Sequence, residues 1–326
     1  MMRWLVCSLS CLSCIFLSLP AAAQDARHWL DRVVTAAHKV NYSGTFVFQN
    51  GAIAETSRIT HLIESGKVLE RIEVLDGSPR EVIRNNDEVK YYLPESRILI
   101  VEKRNQQRSF PSLLPAELNG LVANYVVRKG YFGRVAGHET QSILLEPKDD
   151  LRYGHQFWVD VNSGLLLKSE VMNERNEAVE SFTFTQLQIG GQIEREALKP
   201  KFAVQSRDWP VQNIQSTVAR GEDDAWLFKF RLPGFSKLAG MKRQGGKDTP
   251  ESLHFVFSDG LAAISVFIEP FSSDPQMVDL DRVSVGATTV YHRTVNGHQL
   301  VIMGEVPMAT LKKFGDGIEP KRNHGK

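Results

Sequence analysis

The stretch Tyr153–Leu187 reads YGHQFWVDVNSGLLLKSEVMNERNEAVESFTFTQL. Its apolar residues recur with period two, and turn residues interrupt them twice. Three strands are predicted, His155–Val161, Leu165–Met172 and Ala178–Ile189, with turns at Asn162-Ser163-Gly164 and Asn173–Glu177. Gaps this short join antiparallel neighbours, because a parallel crossover needs a dozen residues or more. The chain is therefore read first as an antiparallel sheet protein.

The same pattern extends upstream. Strand-like runs at Thr45–Gln49, Ser57–Ile63, Val68–Leu75, Arg80–Arg84, Glu88–Leu93 and Arg97–Glu102 are separated by Asn50-Gly51, Ser65-Gly66, Asp76-Gly77-Ser78-Pro79, Asn85-Asn86-Asp87 and Pro94-Glu95-Ser96. Asn124–Arg128 and Ser142–Glu146 add two more. Before them, Trp29, Leu30, Val33, Val34 and Ala37 recur at helical spacing between Asp25 and Val40, with Asp25 placed to cap the start. The first region is thus one antiparallel sheet of about ten strands with a helix or two.

Several strands are apolar on both faces. Ile98 and Ile100 oppose Leu99 and Val101; Phe157 and Val159 oppose Trp158; Leu165 and Leu167 oppose Leu166; Ile143 and Leu145 oppose Leu144. A strand with one wet face should alternate cleanly. Leaving six such side chains in water forgoes on the order of 10 kcal/mol, as much as a domain's net stability. Either helices and the second region fill that face, or a curved sheet keeps a concave apolar hollow for a ligand. The aromatic side chains expected to line such a hollow are Phe46, Phe48, Trp158, Phe182 and Phe184. Phe110-Pro111-Ser112-Leu113-Leu114-Pro115 lies in a break too long for a tight turn. Leu113 and Leu114 there would gate the hollow, or else Leu113–Gly120 forms a short helix across the sheet end.

Residues 196–224 are polar and weakly periodic, with Pro200 and Pro210, and read as a linker after a first domain of 24–195. A smaller domain is expected over 225–318, followed by a tail, 319–326. Asp259-Gly260 and Asn296-Gly297 mark hairpins within it, since both dipeptides tolerate positive φ. Pro307 opens a helix over Met308–Phe314. Arg231, Arg243 and Arg293 are its candidate partner-binding cations.

The N-terminus has the form of a secretory signal peptide. A short basic start (Arg3) precedes an uncharged apolar run to Leu19, and Pro20-Ala21-Ala22-Ala23 supplies small residues for cleavage after Ala23. Cys7, Cys11 and Cys14 all lie within it, so the mature chain is expected to hold no disulfide and no thiol. The rival reading, lipidation at Cys14, leaves a short apolar stretch before the cysteine. The 39 basic and 38 acidic residues nearly cancel, which gives no electrostatic footprint for nucleic acid.

Motifs for catalysis are missing from the sequence. No G-x-S-x-G or H-E-x-x-H occurs. Gly240 and Gly245 superficially suggest a phosphate loop, but Gly246 follows where Lys is required and Asp248 stands where Ser or Thr should be. The nine histidines show no close ligand pairs. No catalytic residue, metal or cofactor is assigned.

The residues also carry a family likeness. Leu75–Val82 (LDGSPREV), Asn86–Pro94 (NDEVKYYLP) and the Tyr153–Leu187 stretch resemble the first domain of the RseB/MucB family. Leu232-Pro233-Gly234-Phe235, Phe257-Ser258-Asp259-Gly260-Leu261 and Val301–Pro307 (VIMGEVP) resemble its C-terminal domain, in the same order. The resemblance implies an α+β, mostly antiparallel fold. A large LolA/LolB-like curved half-barrel with helices would stand beside a smaller α+β domain. It implies a periplasmic protein that binds the periplasmic segment of a membrane-spanning anti-sigma factor of the RseA/MucA type and shields it from site-1 proteolysis. A lipid-like stress signal, such as lipopolysaccharide or another acyl-chain ligand, would release it. A periplasmic lipid or lipoprotein carrier is the alternative, and homo-oligomerisation is left open.

Overall fold

The computed structural model describes residues 19–103, 114, 118–215, 225–243, 252–271 and 283–321. Helix α1 (Leu19–Ala36) precedes six strands: β1 (Tyr42–Asn50), β2 (Ile53–Glu64), β3 (Lys67–Val74), β4 (Glu81–Asn85), β5 (Glu88–Leu93) and β6 (Ile98–Lys103). A short helix, α2 (Asn119–Asn124), then leads to β7 (Tyr125–Val135), β8 (His138–Pro147), β9 (Gly154–Asp160), β10 (Leu166–Met172) and β11 (Ala178–Ile189). These eleven strands and β12 (Val211–Gln215) form one sheet in the order 12-6-5-4-3-2-1-11-10-9-8-7. Within β1–β6 and within β7–β11 sequence neighbours are spatial neighbours; β1 pairs with β11, which joins the two meanders, and β12 adds beside β6.

Two differences from the sequence reading have local causes. The segment expected to be only a linker supplies β12, which pairs in parallel with β6 at the sheet edge. Pro210 sits just before it, and its carbonyl accepts the Leu99 N–H at 3.1 Å; proline is tolerated there because the strand is an edge. Further back, Arg71 on β3 binds Glu73 (3.1 Å), Glu81 and the Ala197 carbonyl (3.1 Å), while Glu81 accepts the Lys201 N–H at 2.9 Å. Residues 195–201 are thereby tied to the sheet. Asp25, expected to cap a helix, lies inside α1 instead, and its carboxylate meets Lys129 Nζ at 2.9 Å.

The smaller unit has a six-stranded antiparallel sheet: β14 (Ser236–Arg243), β15 (Ser252–Ser258), β16 (Ala263–Pro270), β19 (His298–Gly304), β18 (Thr288–Val295) and β17 (Val283–Val285), in that spatial order. β13 (Trp226–Phe228) pairs with β20 (Ile318–Pro320) beside it. Helix α3 (Met308–Asp316) lays Leu311 and Phe314 on a core of Phe255, Ile264, Val266, Leu300 and Ile302. The Asn296-Gly297 hairpin has the expected two-residue form, with both residues at positive φ (47° and 72°). The Asp259-Gly260 turn does not. Ser258 pairs with Ala263, so four residues span the loop, and Asp259 organises it by accepting the Leu261 and Ala262 N–H groups at 2.9 Å each.

Both faces of the central strands are buried by the chain itself. One cluster joins Trp29, Leu30 and Val33 of α1 to Tyr125, Ile143, Leu145, Phe157, Val159 and Leu166. A second joins Tyr42, Phe46, Ile59, Trp158, Leu165, Leu167, Phe182 and Phe184.

Candidate functional site

The aromatic side chains named from sequence fall together. Register places Phe46 opposite Phe184 and Phe48 opposite Phe182, so the four phenylalanines share one sheet face. The rings of Phe46, Phe182 and Phe184 pack edge to face at 5.0–6.1 Å between centroids. Trp158 joins the same cluster, with the Lys168 ammonium 4.3 Å from its ring centroid. This is a filled core, one of the two arrangements that the strand pattern left open. Phe46, Trp158, Phe182 and Phe184 are 1–6% exposed, and only Phe48 stands half-buried at its margin. Leu114 is buried against the α1 cluster and not over these rings, so it does not gate them; Leu113 lies outside the described residues.

The three arginines named from sequence have different settings where they are described. Arg231 is exposed. Arg293 donates to the Gly315 carbonyl (2.8 Å) and the Ile318 carbonyl (3.2 Å), and so satisfies acceptors at the end of α3. The side chain of Arg243 lies outside the described residues.

Open space lies elsewhere. A cleft of about 860 Å³ runs between α1 and the start of β7, lined by Arg27, His28, Asp31, Val122, Tyr125, Val126, Val127 and Lys148. Apolar walls with cations beside them suit an amphipathic anion. A second cleft, of about 450 Å³, is bounded by Leu145, Pro147, Asp149, Arg152, His155, Met172 and Glu174.

Arg152 links this second cleft to the seam between the two sheets. Its guanidinium donates to Asp149 through Nε and Nη2 (3.0 Å each), to Asp259 through Nη1 (2.7 Å) and to the Pro233 carbonyl through Nη2 (2.5 Å). The Arg152 and Asp259 side chains are both fully excluded from solvent. Asp259 also accepts the Tyr125 hydroxyl at 3.2 Å, so with its two backbone donors the carboxylate is surrounded by four. Burial and the Asp259 charge push the Tyr125 phenol far above its ordinary value, which keeps it a hydrogen-bond donor.

Sequence motifs of the small unit converge on this point. Phe235 places its ring 5.3 Å from the Arg152 guanidinium. Gly234, at φ 79°, abuts the Asn124 amide, which a Cβ would meet at 2.1 Å. Leu261 leaves its own sheet and is buried in the α1 cluster of the large unit. LPGF and FSDGL are therefore docking elements. Asp259 could have been suspected from its motif, but nothing local in the sequence pairs it with Arg152, 107 residues away.

A second contact lies at the β1–β2 turn. Asn50 Oδ1 accepts the Ala287 N–H at 3.2 Å, and Gly51 and Gly286 meet backbone to backbone. Glu180, opposite Asn50 in the register, is pushed up to about 7 by burial and then by the Glu305 charge of the small unit.

Comparison with known proteins follows this two-part geometry. The family profile described as MucB/RseB N-terminal domain matches residues 25–202, and that of the MucB/RseB C-terminal domain matches residues 220–319. The chain is 30% identical over 318 residues to the sigma factor AlgU regulatory protein MucB of Pseudomonas aeruginosa, covering 94% of each. A crystal structure of MucB in complex with MucA(peri) superposes with a TM-score of 0.72 at 28% identity, covering 91% of this chain and 100% of that one. A crystal structure of MucB alone gives 0.64 at 26% identity, covering 91% and 98%.

Proposed function

This chain belongs to the MucB/RseB family, and we propose from that premise that it is a regulator of a sigma-E-type envelope stress response. It binds the periplasmic segment of a membrane-spanning anti-sigma factor of the MucA/RseA type. While bound, it denies that segment to the site-1 protease. The observation that carries this reading is the likeness, over both parts of the chain, to MucB seated on MucA(peri).

The protein acts by binding and not by turnover. It works in the periplasm, after removal of Met1–Ala23. No described helix is long and apolar enough to cross a membrane. Release is driven by a lipid-like stress ligand, lipopolysaccharide or another acyl-chain amphiphile. The aromatic cluster is core, so the α1–β7 cleft is the better seat for such a ligand, with Arg27, His28 and Lys148 beside its anionic group. Phe48 is the one sequence-named aromatic left half-exposed. Arg231 and Arg243 are proposed contacts for the anti-sigma segment. A ligand can release the partner only by binding the free conformation better than the docked one. Reversing the balance takes about 5.5 kcal/mol of differential affinity, which a few buried methylenes at roughly 0.8 kcal/mol each would supply.

The test is a pull-down of the periplasmic protein with the periplasmic half of its cognate anti-sigma factor, with and without lipopolysaccharide. Retention without lipopolysaccharide and release with it are expected. Failure to bind in both conditions removes the reading. A protein that instead hands a lipidated client to an acceptor would be a carrier.

A further inference from the structure

Strand β7 ends the twelve-stranded sheet and carries Arg128-Lys129-Gly130-Tyr131-Phe132-Gly133-Arg134 along its outer edge. Register shifts between Lys129 and Phe132, so that Gly130 and Tyr131 together oppose Ser142 on β8. The bulge is held from below by buried polar groups: Tyr131 N–H donates to Ser142 Oγ at 3.1 Å, and Gln141 Nε2 donates to the Gly130 carbonyl at 2.9 Å. A Cβ at Gly130 would meet Ser142 Oγ at 2.2 Å, so this position needs glycine. The result is a fixed bulge at the sheet edge with two consecutive aromatic side chains in water, Tyr131 at 61% and Phe132 at 68% exposure. Among the described residues no other pair of neighbouring aromatics is so exposed.

Three cations flank the rings. Arg128 and Lys129 make surface pairs with Glu146 (2.8 Å) and Asp25 (2.9 Å), and Arg134 lies opposite Glu139 in the register. Exposed pairs of this kind hold weakly and exchange readily for other anions. The Lys129 ammonium lies 5.9 Å from the Phe132 ring centroid. Exposed aromatic rings set among long cations on a sheet edge suit the headgroup level of a bilayer. Strand addition by a peptide or a second copy is disfavoured at this point, because the bulge interrupts the regular ladder at the edge.

We propose that the Arg128–Arg134 bulge of β7 is a docking surface for a bilayer bearing anionic headgroups, which sets the adjoining α1–β7 cleft against the lipid. Val126 and Val127 line that cleft, and Phe132 lies about 17 Å along the same strand at some 3.4 Å per residue.

The test is flotation of the protein, purified from the periplasm, with vesicles of equal parts phosphatidylglycerol and phosphatidylcholine. The wild type floats, and less so in high salt. Tyr131→Ser/Phe132→Ser floats about tenfold less, and Arg128→Gln/Arg134→Gln loses most of the salt dependence. Emission of Phe132→Trp shifts to the blue on the vesicles. Equal flotation of the serine variant and the wild type overturns the proposal, as does a wild type that stays in the aqueous layer. So does a serine variant whose only defect is weaker binding of the anti-sigma segment in lipid-free solution. Binding of that segment without vesicles tests the regulator reading separately.

Discussion

Arg152 and Asp259 lose all contact with water where the two sheets meet, and each is held by the other's charge. Removing one partner of such a pair strands the other in a low-dielectric site and costs about 3–5 kcal/mol. Asp259→Ala also frees the Leu261 and Ala262 N–H groups and the Tyr125 hydroxyl. We expect urea unfolding of this variant to show a loss of at least about 3 kcal/mol, and a loss below about 1 kcal/mol would mean that the pair is dispensable. Phe182→Ala, inside the aromatic cluster, should cost about 3–5 kcal/mol by the same measurement. Strand alternation alone puts Phe182 and Phe184 on one face of β11. It could not say that Phe46 and Phe48 would come back across β11 to cover them, because that pairing joins residues more than 130 positions apart. Burial of an aromatic face is legible in a strand's alternation; what does the burying is not.

At the scale of elements, turns were the most legible parts where their chemistry was explicit. Asn296-Gly297 fixed the β18–β19 register, and His292 lies opposite Val301 as that turn dictates. Ala136-Gly137 joins β7 to β8 with both residues at positive φ (48° and 85°), yet alanine gives no turn signal, so both strands run longer than their apolar runs suggested. Turn glycines also separate local strain from docking. Gly286 and Gly297 both have positive φ (57° and 72°). A Cβ at Gly297 meets nothing within 4 Å, whereas one at Gly286 would sit 1.6 Å from Asn50 Oδ1 and 2.6 Å from Gly51 N. Alanine at either site pays the same backbone cost, about 1 kcal/mol. Only Gly286→Ala should push the β1–β2 turn off the small unit. Hydrogen exchange at the Ala287 amide reads the difference: it should quicken in Gly286→Ala and stay protected in Gly297→Ala. Equal exchange in the two variants would mean that this contact does not hold the units together.

For the whole molecule, two largely buried groups near the seam act on stability in opposite senses. His155 lies between Tyr125 and Phe157, its Nε2 buried without a hydrogen-bond partner, and desolvation lowers it from 6.5 to about 4. As pH falls from 6.5 to about 4 the unfolded chain takes up this proton first, so the fold loses stability, by at most about 3 kcal/mol. Glu180 is raised from 4.5 to about 7, by burial first and by Glu305 second. As pH rises from 4.5 to about 7 the unfolded chain releases this proton first, and the fold again loses stability, by a similar amount. Between 4.5 and 6.5 the two slopes oppose each other, and the wild type should be nearly flat in this window with respect to these groups. Each single variant exposes the other slope. Glu180→Gln should grow more stable as pH rises through that window, and His155→Phe should grow less stable. Urea midpoints at half-unit pH steps measure both. Parallel profiles for the two variants would show that these groups do not titrate in the fold as their burial dictates. The Glu180 slope also has a location, since the second cause of its shift, after burial, is the Glu305 charge on the other unit. Its size should therefore shrink in Gly286→Ala, where the nearby turn contact is forced open, while the His155 slope, set mainly by burial within the large sheet, should persist.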